Sequence, residues 1–346
     1  MKVASPAYLA RKLGLRIVKP DALAIRRARE GDGWAYSNAR GRRIKDPRIV
    51  RRLNRLAVPP AYEDVRFASD PKAHLQAIGR DAAGRLQYRY HPDWEKVRDI
   101  RKAQRLIGLV EVLPKIRRAL QARLSEAKIG REFALAGMIE LIAVSAIRSG
   151  SEEYARAHRT RGAATLLKSN VHTDGETLVL SFRAKGGKAV RKEIKHAKLC
   201  EAVSRLRKIP GLRLFQYRTD DGTVRTLSAS DANAYLKEIA GCPISLKDFR
   251  TLCGTAEAME TLAAIEPAES ARARRKQILE AIRSAAEKLE NTPAICRKSY
   301  VHPAVVTAFE AGALQEFADA VKRARSDKPV QQAIGAVLLD AVAAAA

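Results

Sequence analysis

Leu86-Gln87-Tyr88-Arg89-Tyr90-His91-Pro92-Asp93-Trp94 is where the pattern of the chain changes. Up to Tyr90 the side chains alternate as on a strand, with Tyr88 and Tyr90 on one face and Gln87 and Arg89 on the other. His91-Pro92 breaks that pattern, because proline has no amide hydrogen to give to a ladder. From Trp94 onward the periodicity is mostly helical. The join therefore predicts an α+β chain with a small β-rich unit at residues 1–92 and a mainly α-helical unit at residues 93–346.

Upstream of the join, strand-like runs recur at Gly33–Tyr36, Tyr62–Phe67 and His74–Ile78. Turn signals separate them at Gly31-Asp32-Gly33, Pro59-Pro60 and Asp81-Ala82-Ala83-Gly84. One helical patch, Asp46–Leu56, is studded with arginine. A small antiparallel sheet with one helix is expected. Residues 1–90 hold 21 Lys and Arg against 8 Asp and Glu, a net +13. Two aromatics among arginines at Tyr88 and Tyr90 suit a nucleic-acid surface, or equally a half-buried strand face.

Downstream, Phe133–Ile147 is a nearly all-apolar helix, central to a second core, and Arg148 emerges from its end. A guanidinium drawn into protein needs a carboxylate or a phosphate, so an internal ion pair with a glutamate and an anion site both remain open. Val171–Thr173, the turn Asp174-Gly175 and Leu178–Arg183 form a hairpin. Ala184-Lys185-Gly186-Gly187-Lys188 turns it into a third strand, with Lys185 at the tip. A strand is expected over Leu212–Arg218 and a helix over Ser228–Ile239, capped by Ser228 or Ser230. Lys247 and Arg250 lie three apart, on one face if helical, with Asp248 available to pair with either. Ala271–Glu290 is a long amphipathic helix with Ile278, Ile282, Ala285 and Leu289 on one face. It delivers the chain to Asn291, and Thr292-Pro293 starts a helix that leads to Arg297, Lys298 and Tyr300. The tail beyond is helical.

The whole chain of 346 residues carries a net charge of +27, with a pI near 10.3 and 46% hydrophobic residues. Such a balance points to an acidic polymer as partner, with nucleic acid as the default. No apolar stretch reaches the ~20 residues a membrane span needs, and none at the N-terminus resembles a signal core. Cys200, Cys242, Cys253 and Cys296 are widely spaced and contain no Cys-x-x-Cys pair, so they are expected as reduced thiols of a cytoplasmic protein. There is no P-loop, dinucleotide fingerprint or acidic cluster for magnesium. No cofactor and no metal site are expected, and the chemistry falls to side chains.

Arg148, Lys185, Arg250, Asn291 and Tyr300 supply what phosphoryl transfer needs. Two arginine forks suit nonbridging phosphate oxygens. Tyr300 is a nucleophile whose phenol, with an ordinary pKa of ~10, would be favoured as phenolate by neighbouring cations. A desolvated lysine among other cations, Lys185, can donate a proton to the leaving oxygen. Asn291 can add a neutral hydrogen bond.

Seven pieces in the same order carry a resemblance. They are Gly79-Arg80-Asp81 with Gly84-Arg85; Gln87–Pro92; Arg148 with Glu152-Glu153-Tyr154; Phe182-Arg183-Ala184-Lys185; Leu214-Phe215-Gln216-Tyr217; Lys247–Thr251; and Asn291-Thr292-Pro293 to Tyr300. The chain resembles type IB DNA topoisomerases of the compact poxvirus-like and bacterial kind over nearly its whole length. The resemblance implies a bilobed clamp on double-stranded DNA, with a β-rich N-terminal lobe and a helical catalytic lobe carrying a small antiparallel hairpin region. It implies Tyr300 as nucleophile, Arg148 and Arg250 on the phosphate and Lys185 as general acid. Asn291 falls where viral members carry histidine, and implies a phosphate hydrogen bond. Gln87, Tyr88, Tyr90, Tyr154 and Lys247 are expected at the DNA, in a monomeric, nucleoid-associated protein. A tyrosine recombinase is the alternative. Recombinases place histidine three residues before the second arginine, where this chain has Lys247, and they lack the basic β-lobe.

Overall fold

The computed structural model describes residues 3–323 and 326–344. The chain divides into two compact units, one running to Lys102 and the other starting at Ala103.

The first unit opens with α1 (Pro6–Lys12), a short helix that the sequence patterning did not suggest. It continues through β1 (Ile25–Glu30), β2 (Gly33–Ser37), α2 (Pro47–Arg55), β3 (Glu63–Phe67), β4 (Leu75–Arg80) and β5 (Leu86–Tyr90). The strands form one antiparallel sheet in the order β2-β1-β3-β4-β5. Strand β1 is also absent from the sequence prediction, for a visible reason. It reads Ile-Arg-Arg-Ala-Arg-Glu and buries only Ile25, so it shows no apolar alternation. Its side chains are tied down individually instead. The Arg27 guanidinium lies 3.9 Å from the centre of the Trp34 ring and donates to the carbonyls of Val58 at 2.9 Å and Pro59 at 2.7 Å.

Asp46 caps α2 by accepting from Arg48 N at 2.8 Å, and Pro47 takes the first helical position. One side chain of α2, Leu53, is fully buried and joins Tyr36 and Phe67 in a core, where the two rings meet edge to face at 5.5 Å. Arg52 is drawn in, with Nη1 on Gln76 Oε1 and Nη2 on the Ala68 carbonyl. Arg48, Arg51 and Arg55 remain exposed.

The second unit begins inside α3 (Pro92–Leu124), beyond the sheet-to-helix join at His91-Pro92. The first turns of α3 go with the sheet because Trp94 packs its ring 4.5 Å from that of His74. There follow α4 (Arg131–Ser145), α5 (Glu152–His158), and a three-stranded antiparallel sheet of β6 (Val171–Asp174), β7 (Thr177–Arg183) and β8 (Ala189–Lys195). Then come α6 (Ala197–Arg207), a short pair β9 (Gln216–Arg218) and β10 (Val224–Thr226), α7 (Ala229–Ala240), α8 (Leu246–Ala263), α9 (Ala271–Lys288), α10 (Pro293–Ser299), α11 (Pro303–Glu310), α12 (Ala318–Lys322) and α13 (Lys328–Ala344). The expected strand over 212–218 shrinks to Gln216–Arg218. Leu212 is 79% exposed, while Leu214 and Phe215 turn into the core and Leu214 N donates to the Leu166 carbonyl.

Helix α4 is apolar on every side and is buried nearly throughout. Each Phe, Leu or Ile taken from water there contributes ~1.5–3 kcal/mol, which makes α4 the axis of the core that α6, α7 and α8 pack around. It ends two residues earlier than its apolar run suggests. Ala146 adopts the left-handed region (φ 52°), a conformation costing ~1–2 kcal/mol without glycine. This turn throws Ile147 and Arg148 away from the helix axis. Glu290 (φ 54°) does the same after α9, just ahead of Asn291. Two strained residues thus sit beside two of the predicted site residues, a usual location for stored backbone strain.

Candidate active site

The predicted residues of the second unit come from several separate elements. The segment Arg148–Gly150 is laced to the turn at 162–165, where Ala163 N donates to the Arg148 carbonyl and Ala164 N to that of Ser149, both at 2.8 Å. A Cβ on Gly162 would lie 2.5 Å from Gly150 N and 2.6 Å from the Arg148 carbonyl, so only glycine permits this crossing. Lys185 stands at the tip between β7 and β8, where Gly186 (φ 82°) and Gly187 (φ 74°) make the turn. Lys247 and Arg250 point from the first turns of α8. Thr292 caps α10 and Tyr300 closes it.

The side chains converge. Arg148, Tyr154, Lys185, Lys247, Arg250 and Tyr300 line one cleft of about 330 Å³. The Arg250 guanidinium carbon lies 4.9 Å and the Lys247 ammonium 5.8 Å from the centre of the Tyr300 ring, and Lys185 Nζ sits 4.8 Å from that of Tyr154. Asn291 joins from behind, its Oδ1 accepting from Arg148 Nη2. Since arginine only donates, this bond fixes which end of the amide is oxygen. Arg148 therefore takes an amide in place of the glutamate ion pair that its sequence left open.

Arg250 is the most enclosed cation, 4% exposed. Its Nη1 donates to the Ala146 carbonyl and its Nη2 to that of Leu289 at 3.0 Å, the two helix ends just described. Asp248 does not pair with Lys247 or Arg250 as expected. It faces back to cap Ser245 N at 2.7 Å and takes Nη2 of Arg105 from α3 at 2.5 Å. Lys185 also departs from expectation, since it is exposed, not desolvated.

The electrostatics are lopsided. Among the described residues no carboxylate lies within ion-pair distance of Arg148, Lys185, Lys247 or Arg250. Burial, and next the charge of Arg250, pull the Arg148 guanidinium below its ordinary value, while the Tyr300 phenol and Glu290 oppose this. Two buried donors, Arg250 Nε and Asn291 Nδ2, have no hydrogen-bond partner. Buried donors left so cost free energy unless an acceptor arrives. A tetrahedral oxyanion fits that demand.

The cleft also includes Thr160 and Arg161, which sequence patterning missed. Arg161 is lowered by burial and by Arg213, but in a chain this rich in arginine nothing in its local spacing marks it out. In the first unit, Gln87 is held by Asp81 Oδ2 at 2.9 Å. Tyr88 and Tyr90 stack at 6.1 Å on the exposed face, and Trp94 extends the stack by a further 6.1 Å. In the same unit Arg48, Arg51, Arg55 and His91 border a groove.

Among the described residues there is no His, Cys, Asp and Glu cluster that could hold a metal ion, and no helix long and apolar enough to cross a membrane.

The cleft thus gathers Arg148, Arg161, Lys185, Lys247 and Arg250 with Tyr154 and Tyr300, a lining that suits a polyanion. The family model described as the catalytic core of eukaryotic DNA topoisomerase I matches residues 91–328. The model described as the N-terminal domain of bacterial DNA topoisomerase IB matches residues 33–81. A protein of Acanthamoeba polyphaga mimivirus named DNA topoisomerase 1B is 29% identical over 284 residues, covering 80% of this chain and 84% of the viral one. The chain belongs to the type IB DNA topoisomerase family, and as such is an isomerase acting on DNA.

Proposed function

We propose that this protein relaxes supercoiled duplex DNA by cutting one strand, holding it as a 3′-phosphotyrosyl ester and resealing it. The observation that carries this is the cleft itself. Arg148, Lys185, Lys247 and Arg250, none with a carboxylate partner among the described residues, line it together with Tyr300, and two buried donors, Arg250 Nε and Asn291 Nδ2, lack an acceptor.

The steps follow from the side chains. The Tyr300 phenol gives up its proton to water and its oxygen attacks phosphorus while the bond to the 5′-oxygen breaks. Arg148 and Arg250 balance the charge that grows on the nonbridging oxygens, with Asn291 Nδ2 as a further donor. Both guanidinium groups hold their protons too tightly to act as acids. Lys185, on its glycine tip, is the group that can move to the departing 5′-oxygen and protonate it. The new ester conserves the energy of the old one, so the free 5′-hydroxyl can reverse the reaction without ATP. The fixed cations do the electrostatic work that a metal does in other phosphoryl transfers. The first unit, with its basic α2 and its Tyr88–Tyr90 stack, adds its own contacts to the duplex.

The test is plasmid relaxation in EDTA without ATP, run beside Tyr300→Phe. The native chain should relax negative and positive supercoils, and the variant should neither relax them nor leave a denaturant-resistant adduct. A requirement for two specific paired sites would favour strand exchange, and an adduct with Tyr300→Phe would remove Tyr300 from the chemistry.

A further inference from the structure

Helix α8 sends Arg250 into the cleft, and one turn later it carries Gly254 and Thr255, which line no part of it. A Cβ on Gly254 would lie 2.8 Å from Leu289 Cδ1, 3.1 Å from the Tyr300 carbonyl oxygen and 3.2 Å from Tyr300 Cβ. Two of these three atoms belong to Tyr300, and one is backbone. The end of α10 therefore lies so close to α8 that a Cβ at 254 would have to displace the Leu289 side chain and push the Tyr300 main chain away by a few tenths of an ångström.

Thr255 is completely buried. Threonines inside helices commonly turn their hydroxyl back to the carbonyl four residues earlier. Two others in α8 do so, Thr251 to Lys247 at 3.1 Å and Thr261 to Glu257 at 2.8 Å. Thr255 instead donates to the Tyr300 carbonyl at 3.1 Å and accepts from His302 N at 3.2 Å. One hydroxyl thus takes both ends of the Tyr300–His302 turn, using its donor and an acceptor lone pair. Helix α10 is only seven residues long, and Tyr300 is its cap, held within it by a single bond from its N to the Cys296 carbonyl. The side chain of Arg250, one turn before Gly254 on α8, lies over the same tyrosine ring.

We infer that Gly254 and Thr255 form a seat on α8 that holds the Tyr300 main chain in register with Arg250, making both positioning residues for the transesterification. This rests on Tyr300 being the nucleophile. The same phenolic oxygen attacks in cleavage and leaves in religation, and both steps need it in line with the scissile bond. A displaced Tyr300 slows the two steps alike.

Full-length Thr255→Val, Thr255→Ser and Gly254→Ala test the seat. Each is assayed for single-turnover cleavage at saturating duplex, religation, noncovalent DNA affinity and melting temperature. Valine keeps the shape of threonine and removes the hydroxyl, while serine restores the hydroxyl. Thr255→Val should cleave about 10²-fold more slowly, the cost of an ångström-scale misplacement, and Gly254→Ala should cleave more slowly than the native chain by a smaller factor, since it needs a shift of only tenths of an ångström. Religation should slow by the same factor, so the equilibrium fraction of covalent complex stays as in the native chain. DNA affinity should hold, Thr255→Ser should recover most of the rate, and sulfur in place of the bridging 5′-oxygen should not rescue Thr255→Val. Native cleavage by Thr255→Val, while Tyr300→Phe forms no adduct, overturns the seat. So does a rate loss matched by equal losses in DNA affinity and melting temperature. An adduct with Tyr300→Phe is a separate result, which overturns the nucleophile assignment itself.

Discussion

Asn291 gives the sharpest test of where the phosphate binds. Its Oδ1 is occupied by Arg148 Nη2, and its Nδ2 is buried and unpartnered. If Nδ2 donates to a phosphate oxygen in the transition state, Asn291→Ala removes one hydrogen bond to a charged group, ~1.5–3 kcal/mol. At ~1.4 kcal/mol per decade that is about a ten- to hundredfold loss of cleavage rate. Asn291→Asp is nearly isosteric and can still accept from Arg148, but it replaces the donor with a negative charge. A carboxylate about 4 Å from a phosphate oxygen, at an effective dielectric of about 20, adds ~4 kcal/mol of repulsion, close to a further thousandfold. It also offsets the charge of Arg148. The assay is single-turnover cleavage of a duplex whose downstream strand dissociates after cutting, with protein in saturating excess. Asn291→Asp should be far slower than Asn291→Ala. Equal rates for the two variants would show that no phosphate oxygen comes near this amide.

Lys185→Ala should slow cleavage ~10²–10⁴-fold on ordinary DNA and regain most of that loss when sulfur replaces the bridging 5′-oxygen, because a thiolate leaves unprotonated. Arg250→Ala should stay slow on both substrates, and equal rescue of the two would return Lys185 to the rank of a phosphate ligand. Replacing exposed Arg48, Arg51 and Arg55 together by alanine should flatten the plot of log affinity against log salt by ~0.9 for each phosphate these arginines neutralise, measured by DNA binding across a salt series; an unchanged slope would take α2 off the DNA. Asp248→Asn should lower the melting temperature by weakening both its cap on Ser245 N and its pairing with Arg105, and a melting temperature equal to the native one would show that neither interaction matters to stability.

Much of the layout was legible where a local rule governs. The β5 strand, the three-stranded region with Lys185 at its tip, the Ser228 cap, the Thr292-Pro293 start and the all-apolar α4 all follow from alternation, turn chemistry or capping. Strand β1 was not legible, since its arginines pack on Trp34 and on loop carbonyls that lie far along the chain. The partner of Asp248 is hidden from the sequence for a similar reason. A residue one or two positions away is the nearest cation in sequence, yet helix geometry turns Asp248 toward Arg105, 143 positions distant. Arg161 carries no local signal, because its place in the cleft accompanies the close approach of Gly162 to Gly150, which leaves no mark in the spacing.

By itself the sequence determined the kinds of groups available and their order: two arginines, a lysine between glycines and a hairpin strand, an amide and a tyrosine, in a chain charged to hold a polyanion. Composition and near-neighbour spacing carry that information, because charge, pKa class and turn preference belong to single residues or short runs. Only the tertiary structure decided that Arg148 rests on Asn291, that Arg250 is held by the two carbonyls ending α4 and α9, and that α8 grips the Tyr300 turn through Gly254 and Thr255. Those interactions join residues roughly 40 to 140 positions apart. They exist because packing an all-apolar helix brings the ends of its neighbours to one place, where the backbone groups that helices leave unsatisfied can hold the reacting side chains.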